Sequence, residues 1–171
     1  MSYFTRFPTI MYDPAGDGSA KVITNIMSRV RLRASMKKEI IMLDKYRVKE
    51  NETPEIVADK HHGSPFYHWV VMLLNDISDV NHDWVKSTRQ LQRYLQDKYT
   101  EAQLVETHHY EMSQTSGDTT VKIEVENSTY PSASAVTNYE YEVALNESKR
   151  KIDLLRNDYL TFFVDEFQSL I

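Results

Sequence analysis

The stretch that decides the fold is Tyr46-Arg-Val-Lys-Glu-Asn-Glu-Thr-Pro-Glu-Ile-Val-Ala58. Its first residues alternate with a period of two, so that Tyr46 and Val48 point to one face and the basic residues to the other, which predicts a strand. Thr53 then suits the N-cap of a helix, and Pro54 suits the first turn, where a missing N–H costs nothing. The sequence therefore predicts a strand that is followed at once by a helix.

A second helix follows almost without a break. Gly63 ends the first helix, because glycine adopts the left-handed cap conformation without strain, and Ser64-Pro65 repeats the cap-then-proline pattern. Two adjacent apolar stripes then recur at helical spacing: Phe66, Trp69, Val70 and Leu73 form one, and Tyr67, Val71 and Leu74 form the other. A helix this apolar has to be covered on more than one side, by other elements of the chain or by a partner subunit.

A short second strand is predicted from His82 to Lys86, and it would complete a βααβ module over residues 45–87. The predicted core of this module comes from all of its elements: Tyr46, Val48, Ile56, Ala58, Phe66, Trp69, Val70, Leu73 and Trp84. With the flanking regions 1–44 and 88–171, this arrangement indicates an α+β fold.

Residues 1–44 are predicted to contain an extended arm and a helix. The arm, Tyr3 to Tyr12, ends in a turn at Asp13-Pro-Ala-Gly-Asp-Gly-Ser19 and has little local material on which to pack. It therefore either crosses the domain or docks on a partner. The spacing of Val22, Ile26 and Val30 predicts a helix over about 22–33, and residues 39–43 are predicted as a strand or the entry to one.

Residues 88–171 are predicted to begin with a helix through about Tyr99, with Ser87 or Thr88 as its cap. A hairpin follows, formed by 103–112 and 119–126 around Ser116-Gly117-Asp118.

Two interpretations of residues 139–155 remain open. Tyr139, Tyr141 and Val143 alternate as in a strand, but the spacing of Tyr141, Leu145, Ile152 and Leu155 also fits a helix. The C-terminal helix, capped by Asn157 or Asp158, carries a stripe of apolar residues: Leu160, Phe163, Val164 and Phe167.

The charge of this 171-residue chain is unevenly distributed, although its net charge is only −5. Residues 21–49 hold nine basic and two acidic residues, a net of +7, whereas residues 100–147 hold nine acidic residues and one lysine, a net of −8. No nucleic-acid-binding motif accompanies the basic stretch, so we expect no nucleic-acid partner. We interpret the two stretches as solvated faces that attract each other or a neighbouring subunit.

The titratable residues do not form a pattern that points to catalysis or to a metal site. The chain has no cysteine, and the pairs His61-His62 and His108-His109 are adjacent, so that their side chains point apart. Acids such as Glu55, Asp59 and Glu101 are not paired across a cleft, and the four glycines are too scattered for a phosphate loop. We therefore expect no enzyme, no cofactor, no metal and no small-molecule ligand. No apolar run approaches the length of a membrane span, and no signal peptide is expected.

The stretch from Tyr46 to Ala58 resembles the opening of a LysM domain, where a Tyr-x-Val-Lys strand meets a turn and a first helix. Gly63 and Asn75 also match positions of that family, at the inter-helix turn and at the end of the second helix. Two departures count against glycan binding: Asn51-Glu52 replaces the usual Gly-Asp turn, and the second helix is more apolar than a module with an exposed sugar groove requires.

A second resemblance covers nearly the whole chain. Its motifs are Phe7-Pro8, Tyr46-x-Val48, Pro54-Glu55-x-x-Ala58, Gly63-Ser-Pro-x-x-x-Trp69, Leu74-Asn75-Asp76, Trp84 and Asn146-Glu-x-x-Lys-Arg150-x-Ile152. Together these are similar to the baseplate wedge subunit of T-even-type phages that carries a LysM-like domain. The resemblance implies a structural, non-enzymatic component of the virion tail baseplate, assembled in the host cytoplasm. It would contact other wedge proteins and join adjacent wedges.

Two alternative functions are a glycan-binding LysM module, in which Phe66, Tyr67, Trp69 and Trp84 would stack on sugars, and a tail-associated lysin. On the assembly interpretation, the candidate partner contacts lie at both ends of the chain: Tyr3, Phe4, Phe7, Tyr12, Leu160, Phe163 and Phe167. The acidic hairpin is a third candidate surface. We expect removal of residues 1–12 to leave the module folded and to block its incorporation into the wedge.

Overall fold

A computed structural model describes residues 3–27 and 42–170. The strands in this part of the chain are β1 (Thr9–Tyr12), β2 (Lys21–Thr24), β3 (Leu43–Arg47), β4 (Thr107–Ser113), β5 (Lys122–Val125), β6 (Ser134–Thr137) and β7 (Lys151–Leu155). The α-helices are α1 (Pro54–His62), α2 (His68–Leu74), α3 (Val80–Asp83), α4 (Thr88–Lys98), α5 (Glu101–Leu104), α6 (Asn138–Ser148) and α7 (Asn157–Leu170). Two 3₁₀ helices span Tyr3–Arg6 and Pro65–Tyr67. The predicted α+β class is confirmed.

All strand pairs in the described residues are antiparallel, and they form three small sheets: β1–β2, β3–β7, and β4 between β5 and β6. The chain divides into two compact units. The first comprises residues 1–84 and 151–171, and the second comprises residues 85–150. The second unit is therefore an insertion between α3 and β7 of the first.

The first unit is built around the β3–β7 pair and the two predicted helices, α1 from the deciding stretch and α2 directly after it. The Thr53 hydroxyl accepts a hydrogen bond from the Ile56 N–H (3.5 Å), Pro54 occupies the first turn of α1, and Gly63 ends the helix at φ 72°. These caps confirm the predicted boundaries of α1. The helix packs against α2, and α2 packs against β7.

The core of the first unit joins residues that are far apart in the sequence. Its buried members are Phe7, Trp69, Val70, Leu74, Leu155, Phe163, Val164 and Phe167. They come from the segment after the first 3₁₀ helix, from α2, from β7 and from α7. The apolar α2 is thus covered by both ends of the same chain, which is one of the two possibilities that its composition left open.

The predicted strand at 82–86 is wrong. Residues 80–83 form the short helix α3, which Asp79 caps by accepting from the Asn81 N–H. The Asp83 carboxylate also accepts from the N–H groups of Ser78 and Asp79 (both 2.9 Å), which closes this helical turn. The antiparallel partner of β3 is β7, which begins at Lys151.

The predicted helix over about 22–33 is wrong in its first residues, and its remainder beyond Met27 lies outside the described residues. Val22 to Thr24 belong to β2, which pairs with β1 from Thr9↔Thr24 to Tyr12↔Lys21. Three consecutive β-branched residues, Val22, Ile23 and Thr24, favour a strand because their side chains are restricted at χ1. Of the strand predicted at 39–43, only residues 42 and 43 are described, and Leu43 begins β3.

The second unit contains a helix and a three-stranded sheet. A capping box between Ser87 and Gln90 begins α4, and the predicted hairpin is present as β4 and β5. The first strand of this hairpin was predicted to begin at Gln103, but it begins at Thr107. Gln103 lies in α5, and it forms the capping box of that helix with Thr100. The third strand, β6, was not predicted; it begins at Ser134 and pairs with β4.

The open interpretation of residues 139–155 is decided by a third capping box. Thr137 and Glu140 exchange side-chain and backbone hydrogen bonds and begin α6. The helix ends at Ser148, and residues 151–155 then form β7. Tyr139, Tyr141 and Val143 lie in α6, so the strand interpretation was wrong for them. The helix interpretation was right for Tyr141 and Leu145 and wrong for Ile152 and Leu155, which lie in β7.

Candidate functional site

The structure separates the predicted core residues into buried and exposed ones. Val48, Ala58, Trp69, Val70 and Trp84 are buried, and Tyr46 and Leu73 are half-buried.

Ile56 and Phe66 are exposed by 40% and 56%, so the prediction of a core position is wrong for both. On α1 the inward side is taken by Val57 and Ala58, and consecutive helical residues cannot all face inward. Phe66 lies in the 3₁₀ turn that precedes α2 and not on the stripe of α2 itself.

Most of the predicted partner contacts lie in the chain's own core. Tyr3 packs on Phe7, Trp69 and Phe167, with ring centroids 4.8, 5.6 and 5.7 Å away. Trp69 also packs on Phe167, at 4.6 Å. Phe7, Phe163 and Phe167 are buried, so the prediction that they contact a partner is not supported by this arrangement.

The N-terminal arm thus has two parts with different surroundings. Its first part, through Phe7, crosses the domain and packs on α2 and α7. Removal of residues 1–12 would therefore take a core side chain away, and this packing does not support the expectation that the module stays folded without them. The second part of the arm, from Thr9, is the exposed strand β1.

The β1–β2 pair, which we call the ribbon, exposes apolar side chains on both of its faces. In register, Ile10 lies opposite Ile23 on one face, and Met11 lies opposite Val22 on the other. Met11 and Val22 are exposed by 66% and 65%. An isolated two-stranded ribbon is marginally stable in water, and burial of a hydrophobic face is what stabilises small sheets. The ribbon is the strongest candidate for an interaction surface, and of its exposed apolar residues only Tyr12 had been predicted from the sequence to contact a partner.

The turn of the ribbon is organised by Asp13. Its carboxylate accepts hydrogen bonds from the N–H groups of Gly18 (2.7 Å), Gly16 (2.8 Å) and Ala15 (3.1 Å). The Gly18 N–H, followed by those of Gly16 and Ala15, lowers the pKa of Asp13 below its ordinary value. Gly16 and Gly18 have φ angles of 69° and 82°, which glycine adopts without strain. The turn therefore holds β1 and β2 in one register.

A groove lies beside the exposed Phe4, in the first part of the N-terminal arm. It has a volume of about 440 Å³, and its lining includes Tyr3, Phe4, His68, Trp69, Met72 and Leu73. Phe4 is exposed by 54%, unlike its neighbours Tyr3 and Phe7. Phe4 and Tyr12 are thus the predicted partner contacts that remain at the surface, and Leu160 is half-buried against the core.

The family model described as Base plate wedge protein 53 matches residues 4–130. This range includes nearly all of the arm, the ribbon, the helices α1 and α2 and most of the second unit. The chain belongs to this family. No curated protein matches it.

Membership confirms the predicted function and the resemblance to phage baseplate wedge subunits. The protein is a structural subunit of the tail baseplate of a phage virion, and it assembles with other baseplate proteins. The match stops before β7 and α7, which complete the core of the first unit.

Two further features of this wedge protein bear on its function. In residues 3–27 and 42–170, no three His, Asp or Glu side chains come together in a group that could hold a metal ion. None of the helices in the same residues has the length and apolar composition of a membrane span.

Proposed function

We propose that this wedge protein has no catalytic activity and joins neighbouring wedge proteins, and adjacent wedges, mainly through the ribbon. The observation that carries the proposal is the exposure of Met11 and Val22 on one face and of Ile10 and Ile23 on the other. Partners that cover both faces would bury apolar area and gain about 25 cal/mol for each Å² removed from water. Assembly in the host cytoplasm is part of this proposal, since a chain without cysteine needs no oxidising compartment to fold.

The buried acids support a structural role. Among the described residues, the buried charged side chains are Glu52 and Glu142, and each is ion-paired with a lysine. Lys60 Nζ lies 2.6 Å from Glu52, and Lys98 Nζ lies 2.6 Å from Glu142. Both carboxylates stabilise the fold, and neither stands free in a cleft as a general acid would.

We infer further that the first unit is a LysM-like module whose second strand comes from far along the chain. Helix α1 packs on α2, α2 packs on β7, and the strand that pairs with β3 is β7 in place of the predicted 82–86. Asn51, which stands where the usual Gly-Asp turn has its glycine, has φ 62°, a left-handed conformation that glycine adopts without strain. In this proposal the module comprises 43–84 and 151–155, interrupted by the second unit, and replaces the continuous stretch 45–87.

The surroundings of Trp84 speak against the glycan-binding alternative. The indole is buried, and its Nε1–H donates to the Glu52 carbonyl oxygen at 2.8 Å. A ring held in this way offers no open face to a sugar. We expect the purified protein to stay in solution when it is mixed with insoluble peptidoglycan or chitin.

The ribbon is tested by the double variant Met11→Gln/Val22→Thr, which removes apolar surface and keeps side-chain shape. We expect unchanged thermal stability, because both side chains are exposed, and at least about a ten-fold loss of incorporation into baseplates. Incorporation is measured by complementation of a phage that lacks this protein. Val105→Thr, at an apolar position exposed by 73%, is the matched control and should assemble normally. Normal assembly of the double variant would contradict the proposal.

A further inference from the structure

The β3–β7 pair carries a strip of cations on its exposed face. Lys45 lies opposite Asp153 and Arg47 lies opposite Lys151, so these four side chains share one face of the pair. Lys45 forms an ion pair with Asp153 at 2.6 Å. Lys45, Arg47 and Lys151, which we call the cation strip, line a groove of about 460 Å³.

The sheet of the second unit carries an arrangement of opposite sign. Glu111 of β4 lies directly opposite Glu124 of β5, and we call these two residues the acid strip. Glu111 forms an ion pair with Lys122, which lies opposite Ser113 on the same face. Each strip therefore contains one pair of like charges that lie opposite each other, and one residue of each strip also forms an ion pair.

Like charges that lie directly opposite each other in an antiparallel pair destabilise it. Lys151 and Glu124 are both exposed, and neither side chain has a partner among residues 3–27 and 42–170. Within the described residues, the β3–β7 sheet therefore exposes the positive charge of Lys151 and the sheet of the second unit exposes the negative charge of Glu124, each without an ion-pair partner. A ligand of opposite charge at either strip would relieve the repulsion.

We propose that the cation strip of one copy binds the acid strip of a second copy, with Lys151 facing Glu124. Charge complementarity favours a second copy as the partner, because the same chain carries a positive strip and a negative strip, each on a pair of antiparallel strands. The contact is heterologous, because the two surfaces differ, so each copy can bind one neighbour on each side and form a closed ring or an open chain. This contact rests on the proposed structural role. It means that the protein contacts a second copy of itself as well as other wedge proteins.

The contact is weak when it stands alone. Stable interfaces bury roughly 1,200–2,000 Å² in total, and two short strand faces supply less. Exposed ion pairs are also screened by salt, with a Debye length of about 10 Å at 0.1 M and about 3 Å at 1 M. We therefore expect association of the full chain at high concentration and low salt, weakened at least about ten-fold between about 0.05 and 0.5 M salt.

Sedimentation equilibrium of the full chain measures this association. Lys151→Glu and Glu124→Lys each place a like charge at the proposed contact, and each is expected to weaken self-association at least about ten-fold. An equimolar mixture of the two variants should regain it, because the new carboxylate of one variant would then face the new ammonium of the other. Both variants remove a like-charge pair from their own sheet, so loss of folding is not expected.

Arg93→Glu, on the exposed surface of α4, makes the same change in net charge as Lys151→Glu and should associate as the native chain does. A native chain that stays monomeric at low salt would overturn the proposal. So would variants that associate normally, or a mixture that fails to associate.

The ribbon variant Met11→Gln/Val22→Thr distinguishes this contact from the proposed function. It is expected to self-associate normally, since its changes lie away from both strips in the sequence and in strand pairing. Equal weakening in the ribbon variant would show that copies meet through the ribbon and would overturn the contact proposed here. Incorporation into baseplates is scored separately, so either proposal can fail without the other.

Discussion

At the scale of single residues, Glu52 stabilises the turn between β3 and α1. Its side chain is only 5% exposed and accepts hydrogen bonds from the Lys60 ammonium (2.6 Å), the Lys49 N–H (2.8 Å) and the Tyr46 hydroxyl (2.9 Å). Its backbone carbonyl accepts from Trp84. One residue thus ties the strand, the helix and the segment after α3 together.

The titration of Glu52 follows from these contacts. Burial alone would raise its pKa, but the hydrogen bonds from Lys60, Lys49 and Tyr46 outweigh burial and hold the pKa below the ordinary value. On the other side of the contact, burial and then the hydrogen bond to Glu52 raise the pKa of Tyr46 to about 12. Because the folded pKa of Glu52 is depressed, its contribution to stability is present above the unfolded value of about 4.3 and is lost as the pH falls through the folded value.

We expect Glu52→Ala to lower the free energy of unfolding by about 2–4 kcal/mol at neutral pH, since buried partners lose a charged acceptor. The loss should shrink as the pH falls below about 4.3 and through the folded pKa of Glu52, because the native carboxylate becomes protonated there. Urea unfolding at several pH values measures both effects. Asp59→Ala removes an exposed acid from α1, the helix that follows Glu52, and should change stability by less than about 0.5 kcal/mol. A pH-independent difference between native and Glu52→Ala would contradict this account.

Two asparagines show what a residue-level pattern does not reveal. The Asn75 amide donates to the Val71 and Asp153 carbonyls and accepts from the Asp153 N–H, all at 2.8 Å. Asn146 does the same with the backbone of Lys86, at 2.8 and 3.0 Å. Each side chain bonds to both the N–H and the carbonyl of one distant residue, which lies 78 or 60 residues away, so no local rule could predict the contact.

At the scale of elements, the two strips explain why exposed strands of this protein carry charges that oppose their own pairing. Arg47 against Lys151 and Glu111 against Glu124 are unfavourable within their sheets. Such pairs are consistent with surfaces that serve a partner at a small cost in the stability of the free chain.

This view predicts that Lys151→Glu stabilises the isolated protein. Opposite charges directly across an antiparallel pair contribute about 0.2–1 kcal/mol, so the midpoint of thermal unfolding should rise by up to a few degrees at low salt. Differential scanning calorimetry at high dilution measures the change. Lys21→Glu, which lies opposite the uncharged Tyr12 in the ribbon, should leave the midpoint unchanged. A lower midpoint for Lys151→Glu would show that the repulsion is already balanced within the chain.

At the scale of the whole molecule, the first unit is closed by the two ends of the chain. Trp69 of α2 contacts Tyr3 from the beginning of the chain and Phe163 and Phe167 from its end. The ribbon stays exposed, and α2 is covered by four of the aromatic residues that had been assigned to partners: Tyr3, Phe7, Phe163 and Phe167.

We expect Phe167→Ala to destabilise the protein by about 3–5 kcal/mol, because a buried ring would be replaced by a cavity. Phe162→Ala on the same helix removes a ring that is 59% exposed and should cost less than about 1 kcal/mol. Chemical unfolding of the two variants makes the comparison. Equal and small effects would mean that α7 does not close the core.

The local sequence alone determined α1, its two caps, the apolar character of α2 and the hairpin of the second unit. Proline, glycine and the hydroxyl caps act within one turn, so their effects can be read from neighbouring residues. The motifs also indicated the wedge family, which the family match confirmed.

Tertiary structure decided which strand pairs with β3, which aromatic residues are buried and which apolar residues face solvent. The sequence of residues 82–86 could not reveal that β7, far later in the chain, is the partner of β3, because strand pairing depends on competition between distant segments. Likewise, Phe7 and Met11 are similar in sequence context, yet one is buried by α7 and the other is exposed on the ribbon. Whether a side chain is buried depends on which distant segments pack against it. Here that is decided only when the segment around Phe7 and helix α7 both pack on α2.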